Sequence, residues 1–192
     1  MITGGIGESP LRPDGPSKVR GEYAYSSDLW LENMLWGATL RSPHPSARIL
    51  SIDVSEALAQ PGVHTVLTYK DVPGENVYGL KFQDTPVLAE EIVRYQGEPV
   101  ALLAADHPET ARQALKKVKV DYEVFEPVTD PERAAHDTTL PRLHEGGNLV
   151  RYQRIVKGDP SATADVVVSG VYEIGMQDQA FLGPESGLAI PE

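Results

Sequence analysis

The five histidines have the widest chemical range of any residues in this chain, because imidazole can bind a metal or transfer a proton. They are His44, His64, His107, His136 and His144. A zinc site usually brings two or three such ligands together at short spacing beside a carboxylate. Only His136-Asp137 and His144-Glu145 are close along the chain, and both lie in a proline-rich stretch typical of solvated loops. We therefore predict no metal site, and a structural hydrogen-bonding role for His44.

Two short motifs suggest phosphate binding or hydrolysis, but neither has the surroundings that this chemistry needs. The start, Gly4-Gly5-Ile6-Gly7, has no preceding strand, following helix or lysine of the kind found in a phosphate-binding loop. Gly183-Pro184-Glu185-Ser186-Gly187 resembles a nucleophile elbow, but its serine is one place off centre and a strand-like segment follows. The residues alone therefore assign no reaction.

Composition excludes several classes of protein. The chain has no cysteine, so it cannot hold a disulfide framework, a thiolate metal site or an iron–sulfur cluster. Its 28 acidic and 17 basic residues give a net charge of −11, which argues against nucleic acid as a partner. The longest apolar run, 100–105, is far shorter than the roughly 20 residues of a membrane span, and the start lacks the pattern of a signal peptide. We expect a soluble, cytoplasmic protein.

Alternating apolar and polar residues predict strands over 34–40, 47–53 and 63–69, with a short helical turn at 55–59. A stiff turn, Ser42-Pro43-His44-Pro45, separates the first two strands because each proline fixes its own φ. The sequence thus predicts a set of short strands with tight connections.

A strand–helix–strand unit is the clearest local pattern. An apolar run at 100–104 predicts a buried strand, and the helix that follows begins near Pro108, with Asp106 as the predicted cap and Glu109 reaching back. Its apolar face is formed by Ala111, Ala114, Leu115 and Val118. Residues 119–125 alternate as a further strand. The residues thus favour an α+β domain.

Both ends of the chain predict less regular structure. Residues 1–20 are dense in glycine and proline, which predicts an irregular arm without helix or strand. Residues 126–148 predict a linker with at most a short helix at 131–135. Two further strands are predicted at 149–156 and 165–174. They form a unit too small to be stable without support.

The order of the motifs resembles the molybdopterin-binding large subunit of the xanthine dehydrogenase and aldehyde oxidase family. The motifs are Lys18-Val19-x-Gly21, Leu40-Arg41-Ser42-Pro43-His44, Val93-x-Tyr95-x-Gly97-x-Pro99 and Val118-x-Val120-x-Tyr122-Glu123. This resemblance implies an α+β fold with an irregular arm over 1–17, an α/β-hammerhead domain over 18–127 and a linker over 128–148. Residues 149–192 would then be the truncated start, with the first strands, of a molybdenum-cofactor-binding domain.

The resemblance also implies one cofactor-binding residue. In the family a Gly-Gly-Gln segment brings a glutamine to the metal centre, and Gly175-Met176-Gln177 stands at the matching position. Gln177 is therefore expected to bind the cofactor, because an amide N–H can donate to an oxygen on the metal. The alternative is an ordinary polar residue at a strand end. The sequence departs from the family where many members place a glutamate after Leu182, since here Gly183 and Pro184 precede Glu185.

By this resemblance the chain is the N-terminal part of a molybdenum hydroxylase that acts on a purine or an aldehyde. The complete subunit would hold molybdenum–molybdopterin, with iron–sulfur clusters and FAD on partner subunits or domains. This chain alone is expected to be inactive, with no catalytic residue of its own. Two alternatives remain open: a non-catalytic module that docks onto flavin or iron–sulfur subunits, and a small-molecule-binding domain without a redox role. An unfinished second unit would also expose strand edges that favour a homo-oligomer.

Overall fold

A computed structural model describes residues 5–79, 82–159, 161–175, 177–180 and 185–191 of the chain. The chain divides into two units, Asn33–Gly158 and the described parts of Met1–Glu32 with Asp159–Glu192. No helix in the described ranges is long and apolar enough to cross a membrane.

The described residues form eight strands and four α-helices. The strands are β1 (Trp36–Arg41), β2 (Ala47–Asp53), β3 (Val63–Leu67), β4 (Val77–Tyr78), β5 (Thr85–Pro86), β6 (Ile92–Val93), β7 (Pro99–Ala105) and β8 (Lys119–Val124). The helices are α1 (Gly15–Arg20), α2 (Ser55–Leu58), α3 (Pro108–Leu115) and α4 (Pro131–His136). The predicted strands at 34–40, 47–53 and 63–69, and the short helices at 55–59 and 131–135, are confirmed to within two residues at each end.

Three antiparallel sheets make up the strand pairing of the larger unit, in the orders β1-β7-β3, β6-β2-β8 and β4-β5. β7 lies at the centre of the first sheet, where Leu103 is paired with Ala38 on one side and Val66 on the other. Side chains on both faces of β7 pack into hydrophobic cores, which explains its nearly continuous apolar sequence. Pro99 begins the strand, where its missing N–H costs least.

The two hydrophobic cores lie on opposite faces of β7. Val100 packs with Ala89 and Val93 in one core, whereas Ala101 and Leu103 pack in the other. This division follows from the alternation of side chains along a strand. α3 closes the second core with its small residues Ala111 and Ala114, as the predicted apolar face requires.

The predicted strand–helix–strand unit is present, but its two strands belong to different sheets. β7 pairs with β1 and β3, while β8 runs antiparallel to β2. Local periodicity indicates that strands exist and does not indicate which neighbour each one pairs with.

The predicted cap of α3 is wrong by one residue. His107, not Asp106, caps the helix, since its Nδ1 accepts a hydrogen bond of 3.1 Å from the Glu109 N–H. The residue before a proline favours an extended backbone, and His107 before Pro108 has φ −144° and ψ 143°. That conformation belongs to the cap position, whereas Asp106 contacts His64 instead.

The prediction of an arm without helix over 1–20 is also wrong, because α1 occupies Gly15–Arg20. Pro16 lies in its first turn, where no N–H is needed, and Gly21 ends it with φ 72°. Proline and glycine here mark the two ends of a helix.

The two strands predicted at 149–156 and 165–174 do not form, and all described residues of these segments lack strand pairing. Their apolar side chains are exposed, up to 94% for Val150. A strand needs a hydrogen-bonded neighbour and a face to bury, and the described part of the chain provides neither. The predicted first strands of a cofactor-binding domain are therefore not seen.

Candidate functional site

The turn between β1 and β2 forms a buried junction centred on Ser42, which is only 3% exposed. The Ser42 N–H donates to the Glu98 carbonyl oxygen at 2.9 Å, and the Gly97 N–H donates to the Ser42 carbonyl oxygen at 2.9 Å. The Ser42 hydroxyl accepts from the His44 N–H and lies within hydrogen-bond distance of the His44 carbonyl oxygen, both at 3.1 Å. Two prolines in this turn lack N–H groups, so the hydroxyl supplies the local hydrogen bonds that they cannot.

Glu98 is the buried charged residue of this junction, with an exposed fraction of 2%. Its Oε2 accepts a hydrogen bond of 2.5 Å from the Arg94 N–H, and its own N–H donates to the Tyr95 carbonyl oxygen at 3.2 Å. A buried carboxylate is stable only when hydrogen-bonded, and such charge-assisted bonds are strong. Glu98 therefore ties together the loop 94–98 between β6 and β7. Gly97 allows the turn with φ 93°.

Aromatic packing joins the same turn to β8. The rings of His44 and Tyr122 meet edge to face, with centroids 5.0 Å apart. Burial raises the pKa of the Tyr122 phenol, and a hydrogen bond with Ser42 offsets part of that increase. His44 thus takes part in the turn through backbone hydrogen bonds, and its ring packs against the neighbouring sheet.

The chemistry of the junction is structural. The contacts found for Ser42 lead to backbone groups and Tyr122, and the carboxylate of Glu98 is engaged by an amide. A nucleophile needs an adjacent base, and the described contacts of Ser42 include none. The junction instead connects the first sheet, through β1 and β7, to the second, through β6 and β8.

The other four histidines lie at different places in the fold, each with its own surroundings. His64 lies with Nε2 2.5 Å from Oδ1 of Asp106, and His144 lies with Nδ1 3.0 Å from Oδ2 of Asp84. His107 caps α3, and His136 is in the last turn of α4. Across the described ranges, no three His, Asp or Glu side chains are grouped so that they could hold a metal ion.

Two open cavities lie in the larger unit, and molybdopterin, which carries a phosphate, would need a lining that attracts an anion. One, of about 360 Å³, includes Asp84, Glu90 and Glu91 in its lining, together with Arg94. The Arg94 guanidinium is already bonded to carbonyl oxygens. The other, of about 480 Å³, lies at the start of α3 and includes Glu109. Carboxylates repel a phosphate, so the lining of neither cavity fits this cofactor.

Gln177 is exposed and lies in irregular chain. It belongs to the smaller unit, whereas Ser42 and Glu98 belong to the larger one. Met176 of the predicted motif and residues 181–184 lie outside the described residues. Sequence reasoning missed the role of Glu98, because a single glutamate before a proline carries no periodic or motif signal.

Comparison with known proteins gives consistent results. Residues 20–126 match the family described as "Aldehyde oxidase and xanthine dehydrogenase, a/b hammerhead domain". The chain is 40% identical to a probable xanthine dehydrogenase component of Bacillus subtilis, over 96% of this chain and 25% of that protein. It is 32% identical to the nicotinate dehydrogenase large molybdopterin subunit of Eubacterium barkeri, over 96% of this chain and 44% of that protein.

Solved structures agree with these sequence matches. The aldehyde oxidoreductase of Desulfovibrio gigas is 36% identical, with a TM-score of 0.64 over 68% of this chain and 16% of that one. The CO dehydrogenase of Oligotropha carboxidovorans gives the same identity and TM-score over 70% of this chain and 17% of that one. In these four comparisons the match spans between about one sixth and less than half of the other protein.

The predicted α+β hammerhead fold and the predicted relationship to molybdenum hydroxylases are both confirmed by these matches. Because residues 20–126, more than half of the chain, match the hammerhead domain of the aldehyde oxidase and xanthine dehydrogenase family, this chain belongs to that family.

Proposed function

We propose that the chain is the N-terminal part of the molybdenum-binding subunit of a xanthine dehydrogenase-like molybdenum hydroxylase. The observation that carries this proposal is the match of nearly the whole chain to only 25–44% of proteins named for xanthine dehydrogenase and molybdopterin. In this proposal 18–127 is the hammerhead domain, 128–148 leads out of it, and 149–192 begins the cofactor-binding domain.

The exposed apolar residues after 148 support the proposal. Those more than three-quarters exposed are Val150, Tyr152, Ile155, Val166, Val167, Val168, Val171, Tyr172 and Ile174. Stable globular surfaces rarely leave so many large apolar side chains in water within one stretch. Their β-branched and aromatic types suit strands that pair with neighbouring polypeptide. The rest of a larger subunit would provide those neighbours.

The complete subunit would carry out oxidative hydroxylation of a purine or an aldehyde in the cytoplasm, using molybdenum–molybdopterin. Gln177 would contact that cofactor through its amide, and the other contacts would come from residues outside this chain. Electrons would leave through iron–sulfur clusters and FAD on partner subunits or domains, since this chain has no cysteine to hold a cluster. The hammerhead domain would serve as a rigid neighbour of the cofactor domain.

The size of the native polypeptide tests the proposal. An antibody raised against this chain should detect a band several times heavier than 20.9 kDa in source cells. The polypeptide it captures should hold about one molybdenum per subunit by elemental mass spectrometry. It should also oxidise hypoxanthine or benzaldehyde with an artificial electron acceptor.

The control is the isolated 192-residue chain, which should hold no molybdenum and show no turnover. Stoichiometric molybdenum in that chain, or a native band at 20.9 kDa, would contradict the proposal. The lighter band would favour the non-catalytic docking module, and binding to purified flavin or iron–sulfur subunits would then be the measurement to make.

A further inference from the structure

Residues 141–148, which the sequence indicates to be part of a linker, form a folded loop here. The side chain of Asn148 holds it closed, because its Oδ1 accepts from the Leu143 N–H at 2.8 Å and its Nδ2 donates to the Pro141 carbonyl oxygen at 3.0 Å. The Gly147 N–H also donates to the His144 carbonyl oxygen at 2.9 Å. A loop with this many internal hydrogen bonds has its own preferred shape.

Two contacts attach this loop to the hammerhead unit, which is the part of the larger unit within the family match (33–126). Nδ1 of His144 lies 3.0 Å from Oδ2 of Asp84, just before β5. Nε of Arg94, just after β6, donates to the Leu143 carbonyl oxygen at 3.2 Å. The backbone of Arg94 is in turn held by the buried carboxylate of Glu98, so the attachment reaches the rigid junction between the sheets.

The chain becomes exposed and irregular immediately after this loop. Gly147 and Asn148 are half-buried, whereas Leu149 and Val150 are exposed, and no helix or strand follows among the described residues 149–159. Asn148 is therefore the last residue of this segment, up to Gly158, with a hydrogen bond in the described structure.

We propose that residues 141–148 act as a docked strap that fixes the point at which the chain leaves the hammerhead unit. The strap holds Asn148 in place through the contacts of His144 and Arg94, so the polypeptide that follows starts from a fixed position. If the proposed function holds, the strap sets the position of the cofactor-binding domain. The docking of the strap itself does not depend on that function.

Limited proteolysis with trypsin tests the strap, because Arg142 lies within it and Arg151 and Arg154 lie just beyond it. Proteases cleave chain that opens locally, so a docked strap slows cleavage after Arg142. Mass spectrometry of the fragments compares the rates in one sample. We expect cleavage after Arg142 to be at least about tenfold slower than after Arg151 or Arg154. Equal rates would overturn the proposal.

Variants then test the contacts that dock the strap. D84N and H144Q should each speed cleavage after Arg142 by about twofold to fivefold, the range expected for one contact between exposed polar side chains. Since the two residues act as one contact, D84N/H144Q should cleave no faster than either single variant. N148A, which removes two internal hydrogen bonds, should have a larger effect of about tenfold. Additive effects of D84N and H144Q would show separate roles and contradict the docking contact.

E145Q is the matched control, because Glu145 lies on the strap and its side chain has no hydrogen bond or ion pair in the described structure. Its cleavage after Arg142 should equal that of the unchanged chain. Cleavage after Arg112, inside α3, reports unfolding of the whole unit and should stay slow in every variant. Fast cleavage there in the unchanged chain would also contradict the proposal, since a strap needs a folded unit to dock on. The assay uses no molybdenum, so it can fail independently of the proposed function.

Discussion

Replacement of Glu98 should show how much the buried junction contributes to stability. The carboxylate accepts a 2.5 Å hydrogen bond from the Arg94 N–H with only 2% of the residue exposed. A hydrogen bond to a charged group contributes about 1.5–3 kcal/mol, and E98A also leaves the N–H of the partly buried Arg94 without an acceptor. We expect E98A to lower the free energy of unfolding by about 3 kcal/mol. At about 2–4 °C per kcal/mol for a chain of this size, the melting temperature should fall by about 6–12 °C.

E98Q separates the hydrogen bond from the charge. An amide oxygen of the same size can still accept from the Arg94 N–H, so we expect a loss of only about 1 kcal/mol. Urea unfolding followed by tryptophan fluorescence, to which Trp30 and Trp36 contribute, measures both variants. Amide exchange should show Ser42 and Gly97 losing protection in E98A, because their N–H groups bond within the same junction.

Glu91 supplies the control, since it is an exposed glutamate seven residues earlier on the same stretch. E91A should change the free energy of unfolding by less than about 0.5 kcal/mol. The reasoning would be refuted if E98A cost less than about 1 kcal/mol, or if E98Q cost as much as E98A. The first result would mean that the junction contributes little, and the second that charge, not the hydrogen bond, holds the loop.

Three further predictions concern other parts of the chain. G62A should lower the free energy of unfolding by about 1–2 kcal/mol, because Gly62 has φ 81° and an added Cβ would lie 3.3 Å from Oδ2 of Asp106. G37A is the control in the same urea assay, since an added Cβ at Gly37 would meet no atom within 4 Å. A111L should cost about 2 kcal/mol or more, since Ala111 is 1% exposed and packs in the core between α3 and the first sheet. R112L, on the exposed face, should change the stability by less than about 0.5 kcal/mol. Hydrogen bonds from Arg12 and then Lys18 hold the pKa of Asp14 well below its usual range, so its stabilisation of the α1 segment should be present above about pH 3.9 and be lost as the pH falls through the lowered pKa. Carboxyl NMR titration should show this, with R12Q moving the pKa of Asp14 upward; an unchanged pKa in R12Q would contradict the assigned cause.

The sequence predicts the elements whose signal is local. β7 can be predicted because it is apolar along nearly its whole length. α3 can be predicted because its small apolar residues recur with a helical period. The sequence does not predict that β8 belongs to the second sheet, because this depends on pairing between residues that are far apart along the chain, such as Ile49 and Tyr122. The helix at 15–20 is not predicted, because proline and glycine usually interrupt helices. Here Pro16 lies in the first turn and Gly21 directly follows the last residue, where both are compatible with a helix.

The failure of the two predicted strands after 148 has a different physical origin. Their sequences have strong β propensity, but propensity only becomes structure when a neighbouring strand satisfies the backbone. The described chain provides no such neighbour, so the prediction depends on polypeptide beyond the hammerhead unit. The same dependence applies to Gln177, whose proposed role requires a cofactor site that the described residues do not form.

Two of the motifs that identify the family have a structural role in this chain. Arg41-Ser42-Pro43-His44 and the stretch from Tyr95 to Pro99 are far apart in sequence, yet they meet at one junction through the paired hydrogen bonds of Ser42 with Gly97 and Glu98. Arg41 adds a hydrogen bond of 2.8 Å to the Gly97 carbonyl oxygen. Residues needed to close two sheets on each other leave a recognisable pattern whether or not they touch a substrate. The pattern therefore identifies the hammerhead domain directly and the molybdenum chemistry only through the proteins that share it. That is why the decisive test of function is the native polypeptide, and the decisive test of the junction is Glu98.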